Sequence, residues 1–324
     1  MKTCKGKNIA ELVDDIRSDT VAKIRSGAKL MTLAETSLSS TIQILSVLAG
    51  DPMPRIILGI TGAPGSGKSL LTGRLIEEFR KRYTERMIGV IAIDPSSPHS
   101  GGAILGDRIR MPQYADDDKV FIRSLATHGQ VGGVTQGTRA VTAIMGALGC
   151  DIVLIETVGV GQMEFAVREV SDAVAIILAP GQGDTIQFLK AGLMEIGDLF
   201  VVNKSDRADS AQFYAQLLHS LQISDCARGR VINTPVFQTS ARDNTGVSEL
   251  FTAVEIFFSH DPLWWKARRL KQTKALVRRA ILSDAQKRME YFLSENNKDG
   301  MISEILEGKR TLSIAVDELL RNAK

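Results

Sequence analysis

The residues of this chain best equipped for chemistry are Gly62, Ala63, Pro64, Gly65, Ser66, Gly67, Lys68 and Ser69, a glycine-rich run that closes on a lysine and a hydroxyl. The spacing Gly-x-x-x-x-Gly-Lys-Ser is that of a phosphate-binding loop. Its glycines let successive backbone N–H groups converge on one centre, where they can cradle α- and β-phosphate oxygens at the positive end of a helix. Lys68 would reach the β- and γ-phosphates, and the Ser69 hydroxyl would take a place on Mg²⁺. Leu70, which opens the helical pattern running to Tyr83, belongs to the same nucleotide-binding run. Arg55 to Ile60 ahead of the loop is an apolar strand candidate, so strand, loop and helix stand in the order this chemistry needs. A chance glycine-rich turn would lack those flanks.

A second group bears on the base. Asn203-Lys204-Ser205-Asp206 follows the apolar run Leu199 to Val202. A carboxylate at Asp206 can accept from both the ring N–H and the exocyclic amine of guanine, a donor pair that adenine does not offer. Asn203 can hold the loop and reach the O6/N7 edge, and the stem of Lys204 can lie along the base. This is the guanine-specificity motif of GTPases. Ser240 and Ala241 follow a further strand candidate, where a backbone N–H can bind the guanine oxygen. Three elements in this order favour GTP, with GDP as product, over ATP.

Three acidic residues, Asp94, Asp107 and Glu156, stand at strand ends or in the loops that follow. Mg²⁺ takes hard oxygen ligands, one or two carboxylates plus phosphates and water, so these and Ser69 are the candidate metal ligands. Asp94 could instead cap the turn Pro95-Ser-Ser-Pro98. Glu156-Thr-Val-Gly159 occupies the place where other GTPases contact the γ-phosphate through a glycine N–H. Val160 follows it, so there is no glutamine where small regulatory GTPases position their attacking water. Gln162, Glu156 acting through water, and a group from a partner all remain candidates. The catalytic assignment is therefore Lys68, Asp94, Glu156 and Gln162, with slow intrinsic hydrolysis that speeds up when a partner orders the loops.

The elements that must position these groups are legible in the apolar pattern. Strand candidates are Ile56 to Ile60, Ile88 to Ile93, Val120 to Ile122, Ile152 to Ile155, Ala173 to Leu178, Leu199 to Val202 and Val236 to Gln238. Most are continuous Val/Ile/Leu runs, as expected of parallel strands covered on both faces. With helical patterns between them they predict an α/β fold, a doubly wound, mostly parallel sheet with ligands at the carboxyl ends of its strands. Residues 8 to 48 read as helices with Gly27 separating two of them. After Phe258 a long amphipathic pattern carries Leu270, Val277, Ile281, Ala285, Met289 and Phe292 on one face, breaks at 296–300, and gives way to a helical segment from Ile302 to Leu320. The expected organisation is an N-terminal helical extension (1–50), a phosphate-loop domain (51–260) and a C-terminal helical arm (261–324). The arm must bury its stripe on the N-terminal helices or on a second copy of the chain.

Composition narrows the class. The 324 residues carry 40 basic and 37 acidic side chains, a balance that gives no reason to propose nucleic acid as a partner. The basic cluster from Lys266 to Arg279 reads as the solvated face of a helix. Three scattered cysteines and four scattered histidines argue against disulfides and a transition-metal site. No apolar run is long enough to span a bilayer, and the amino terminus lacks the apolar segment of a secretory signal, so no membrane and a cytoplasmic location are expected.

These motifs resemble those of the GTPases that chaperone adenosylcobalamin-dependent acyl-CoA mutases, the MeaB/ArgK family whose human member is the methylmalonic aciduria type A protein. The matching residues are the phosphate loop, Ala92-Ile-Asp-Pro-Ser-Ser-Pro98, Gly101-Gly-Ala-Ile-Leu-Gly-Asp-Arg108, Ile155-Glu-Thr-Val-Gly-Val-Gly-Gln162, Asn203-Lys-Ser-Asp206 and Thr239-Ser-Ala241. The resemblance implies Mg²⁺ and switch positions at Ser69, Asp94, Asp107 and Glu156. It also implies a homodimer built through the C-terminal arm, and a mutase partner whose adenosylcobalamin loading is gated by GTP. The chain departs from the family's usual text at Gly183-Asp-Thr-Ile-Gln-Phe-Leu-Lys-Ala-Gly192, Gly161-Gln-Met-Glu164 and Ala126-Thr-His-Gly129. Those departures bear on partner identity more than on GTP, and leave the mutase open. The other readings of the residues are a small-molecule kinase or transport-accessory ATPase, a nickel or cobalt metallochaperone GTPase, and a scaffold that binds GTP without hydrolysing it.

Overall fold

The apolar runs assemble into one sheet of seven strands in the order β3-β2-β4-β1-β5-β6-β7, every neighbouring pair parallel. They are β1 (Ile56–Gly62), β2 (Met87–Asp94), β3 (Val120–Ala126), β4 (Cys150–Thr157), β5 (Ala173–Leu178), β6 (Leu199–Asn203) and β7 (Val236–Thr239). All seven strand candidates fall on these elements. The computed structural model describes residues 7–18, 22–94, 111–114, 116–126, 131–157, 163–181, 192–227, 234–260, 262–295, 299–311 and 313–315. Every residue of β1 and β5 is buried, which explains why these strands read as unbroken apolar runs rather than alternating ones.

Helices cover both faces. On one lie α1 (Ile9–Arg17), α2 (Ala22–Thr36), α3 (Leu38–Val47), α5 (Val131–Leu148), α6 (Met163–Arg168) and α7 (Ser210–Ala227); on the other lie α4 (Lys68–Arg82) and α8 (Val247–His260). The start of α9 (Pro262–Glu295) joins the second face through Trp264 and Trp265. Burying Phe79 and Phe200 completely, one on each face, contributes about 1.5–3 kcal/mol apiece. The Cys150 thiol is part of this core, and burial pushes it up to about 12, which leaves it inert at neutral pH.

Gly27 does not separate two helices. It lies buried within α2, and a Cβ there would meet the side chain of Leu148 at the end of α5. Gly137 of α5 faces the Ala34 carbonyl in return, so the two glycines let these helices approach closely. Ser37 instead divides the region, capping α3 by accepting from the Ser40 N–H at 3.1 Å.

The chain divides into two compact units, residues 1–270 and 271–324. In the second, α10 (Asp299–Leu306) stops within the expected Ile302–Leu320 segment; residues 313–315 are helical again, and 316–320 lie outside the described residues. Gly308 has φ 72°, and the N–H groups of Gly308 and Lys309 turn back to the Ile305 and Glu304 carbonyls. That is a Schellman stop, which glycine adopts without steric cost.

The basic cluster opening α9 is not a solvated face throughout. Arg269 grips Asp172 through Nε at 2.6 Å and Nη2 at 2.5 Å, while Arg268 reaches Asp198 at 2.6 and 2.8 Å. The two carboxylates also accept the N–H groups of Ile57 and Val174, so the clamp ties the start of α9 to the amino edge of the sheet, opposite the phosphate loop. Burial pushes the Asp172 carboxyl up, and the Arg269 guanidinium opposes that push. Arg269→Ala removes the paired charge from a nearly inaccessible carboxylate, leaving it the Ile57 N–H, so we expect a loss of about 3 kcal/mol at neutral pH. With the chief opposition to the rise removed, the stability of the protonated form is present at low pH and lost as pH climbs through the raised value. The deficit against the unsubstituted protein in urea unfolding should therefore narrow as pH falls from neutral toward the ordinary carboxylate range. A deficit constant across that range would refute the account.

Candidate nucleotide-binding site

The carboxyl ends of β1, β4, β6 and β7 come together at one edge of the sheet, and the phosphate loop rises from the first of them. Two of its glycines are required by backbone geometry. Gly62 has φ 144°, and a Cβ there would collide with the Ile177 carbonyl of β5; Gly67 has φ 88°, and a Cβ would strike the Asn203 amide. Gly65 also takes a left-handed conformation, φ 74°. Ser66 is fully buried, and Lys68 and Ser69 are the first two residues of α4.

Lys68 is buried and folds back over its own loop, its Nζ donating to the Gly62 and Ala63 carbonyls at 2.9 Å each. The Ser69 hydroxyl donates to Glu156 Oε1 at 2.5 Å. Glu156 is 2% exposed, and its backbone pairs with Ile60 on one side and Ala92 on the other, so β4 delivers the carboxylate beneath the loop. One residue on, the Thr157 hydroxyl donates to that of Thr61 at 2.7 Å, joining β4 to β1 just before the loop. A hydroxyl touching a buried carboxylate is a pair of hard oxygen donors, which suits Mg²⁺ completed by phosphate and water. Ser69 and Glu156 would hold that ion. Asp94 ends β2 beside Ala126 of β3, and the described structure goes no further with its side chain. Asp107, Gly159 and Gln162 lie outside the described residues, as do most of the three segments where the chain departs from the family pattern.

Asn203 ends β6 next to Thr239 of β7, and its side chain joins both halves of the site. Nδ2 donates to the Ser66 carbonyl of the phosphate loop at 2.8 Å. Oδ1 accepts from the Thr239 hydroxyl at 3.2 Å and from the Ala241 N–H at 3.1 Å. The amide thus clamps one loop to the other, a role that spacing alone does not reveal, and it takes the Ala241 N–H, one of the backbone groups in the segment expected to meet guanine. Lys204 stands at φ 59°, a left-handed conformation that turns the chain sharply between Asn203 and Asp206. The Ser240 hydroxyl lies 2.9 Å from both Asp206 Oδ1 and Asp243 Oδ2, so Asp206 is oriented from the neighbouring loop. Asp243 gives no sequence signal, since it belongs to no spacing pattern.

Beside the loop, Ser69, Leu70, Gly73, Arg74, Glu77, Met111 and Gln113 line a cavity of about 400 Å³. Tyr114 anchors that wall by donating its hydroxyl to the Gly73 carbonyl at 2.7 Å. Among the described residues no group of three or more His, Cys, Asp or Glu side chains could hold a metal ion, and no helix is long and apolar enough to cross a membrane.

Comparison with known proteins agrees with this geometry. Residues 27–291 match the family described as methylmalonyl Co-A mutase-associated GTPase MeaB. A Pyrococcus abyssi protein assigned by its name to the GTPases is 42% identical over 252 residues, covering 77% of this chain and 76% of that protein. The GTPase ArgK of Escherichia coli is 36% identical over 262 residues, 76% of each chain. The mouse protein named methylmalonic aciduria type A homolog, mitochondrial, is 38% identical over 205 residues, 62% of this chain and 48% of its own length. Among solved structures, a LAO/AO transport system kinase superposes with a TM-score of 0.66 at 23% identity, covering 97% of this chain and 96% of the other, a likeness of fold.

Proposed function

The chain belongs to the MeaB family of methylmalonyl-CoA mutase-associated GTPases, and from that premise we propose that it serves an adenosylcobalamin-dependent acyl-CoA mutase, gating cofactor loading through GTP binding and hydrolysis. The observation that carries the nucleotide half is the Asn203 amide, which binds the phosphate loop and the base loop to each other. The mutase half is supported by the family's description and by the mouse relative's name.

In this reading the loop amides from Gly62 to Leu70 hold the phosphates. Lys68 swings from the Gly62 and Ala63 carbonyls onto the β- and γ-oxygens. Asp206, steadied by Ser240, accepts the two guanine N–H groups, while Lys204 covers the base. Mg²⁺, when bound at Ser69 and Glu156 with Asp94 and Asp107, would neutralise charge on the phosphates. Glu156, sequestered from bulk water, can also orient a water molecule, and Gln162 and Gly159 would face the γ-phosphate. The cytoplasmic location belongs to the same reading, supported by the scattered cysteines. So does a homodimer through the arm, where Val277, Ile281 and Leu282 are each more than half exposed along one groove.

GTP hydrolysis measured alone and with adenosylcobalamin-dependent acyl-CoA mutases tests the proposal. We expect slow turnover alone and stimulation of about tenfold or more by one mutase. Hydrolysis that no mutase alters would leave a GTPase and remove the mutase role.

A further inference from the structure

Arg74 lies on α4, past the phosphate loop, and its guanidinium crosses to the base side of the site. Nε donates to the Ala241 carbonyl at 2.9 Å, Nη2 approaches the Arg242 carbonyl at 3.4 Å, and Nη1 is held by Glu77 at 2.8 Å. Ala241 is itself 3% exposed, and its N–H is donated to Asn203. Its backbone is therefore fixed at both ends, by Asn203 from β6 and by Arg74 from α4. Ser240, which orients Asp206, is the residue immediately before it. The planar fork of arginine suits two adjacent carbonyls, and an ammonium can satisfy only part of that geometry.

We propose that Arg74 is a positioning residue for guanine selectivity, holding the Ala241–Arg242 backbone so that Ser240 and Asp206 keep their alignment toward the base. The inference rests on the guanine-site reading above. Arg74 acts on the base loop from the helix that carries the phosphate site, so one rigid element opens at the phosphates and braces the loop beside the base. Its loss should cost base recognition and leave α- and β-phosphate recognition intact, since the loop amides, Lys68 and Ser69 that meet those phosphates all lie earlier in the chain than Arg74.

Isothermal titration of GDP, ADP and inorganic pyrophosphate against the full-length protein, Arg74→Gln and Arg74→Lys tests this. The Gln variant should bind GDP about tenfold more weakly, with pyrophosphate unchanged and the GDP-to-ADP preference reduced by the same factor. The Lys variant should recover part of that preference, and it carries the test by the same ratio should the Gln variant not fold. An undiminished GDP-to-ADP ratio, or GDP and pyrophosphate weakening together, would overturn the inference while the guanine site stands. An unsubstituted protein that does not prefer GDP to ADP would overturn the guanine-site reading itself, and Arg74's role with it.

Discussion

Lys68→Ala is expected to lose tight GTP binding, with affinity falling about a hundredfold or more. The lysine is buried within the phosphate loop, and charge-assisted hydrogen bonds to phosphate contribute about 1.5–3 kcal/mol each. In the structure its ammonium rests on the Gly62 and Ala63 carbonyls, so it is already placed within the loop and needs only to rotate toward a phosphate. Those same bonds predict a second effect. Removing Lys68 leaves two loop carbonyls without that donor, which should lower stability by about 1–3 kcal/mol. Equilibrium binding of a fluorescent GTP analogue, read beside a thermal melt, separates the two. Affinity within a few-fold of the unsubstituted protein would show that Lys68 does not reach the phosphates.

Asp206→Asn should change which base is accepted. The carboxylate offers two acceptors to the two N–H donors of guanine, and the Ser240 hydroxyl at 2.9 Å fixes its orientation. Asparagine keeps one acceptor for that hydroxyl but turns an amino group toward guanine's own amine. Two donors then face each other, and GTP should weaken about a hundredfold. Xanthine carries an oxygen in place of the amine, so XTP should gain affinity in the variant. The competition ratio of GTP to XTP is the quantity to measure. If it does not move, Asp206 is not the base reader.

Most of the fold was written in contiguous residues. The inner strand runs are apolar because both faces of the sheet are covered there, a condition that marks β1, β2, β4, β5 and β6 without reference to their partners, while the edge strands β3 and β7 are only partly buried. The phosphate loop was legible for a similar reason, since the positive φ angles at Gly62 and Gly67 exclude other residues and leave a local signature. The helices were less secure. Gly27 looks like a break in sequence but serves close packing against Leu148, and only the partner helix distinguishes the two uses. Gly308 is the reverse case, a helix stop inside a pattern that seemed to continue to Leu320.

What the sequence by itself determined is the set of chemical groups and the strand ends that carry them: Lys68, Ser69, Glu156, Asn203 and Asp206. Tertiary structure alone decided how those groups are held. Asn203 proved to be a clamp between two loops, Arg74 reaches a carbonyl 167 residues away, and Arg269 pairs with Asp172 across 97 residues. An arginine has a long flexible stem and no local backbone requirement, so the same residue reads as solvated surface until folding brings a carbonyl or a buried carboxylate within reach.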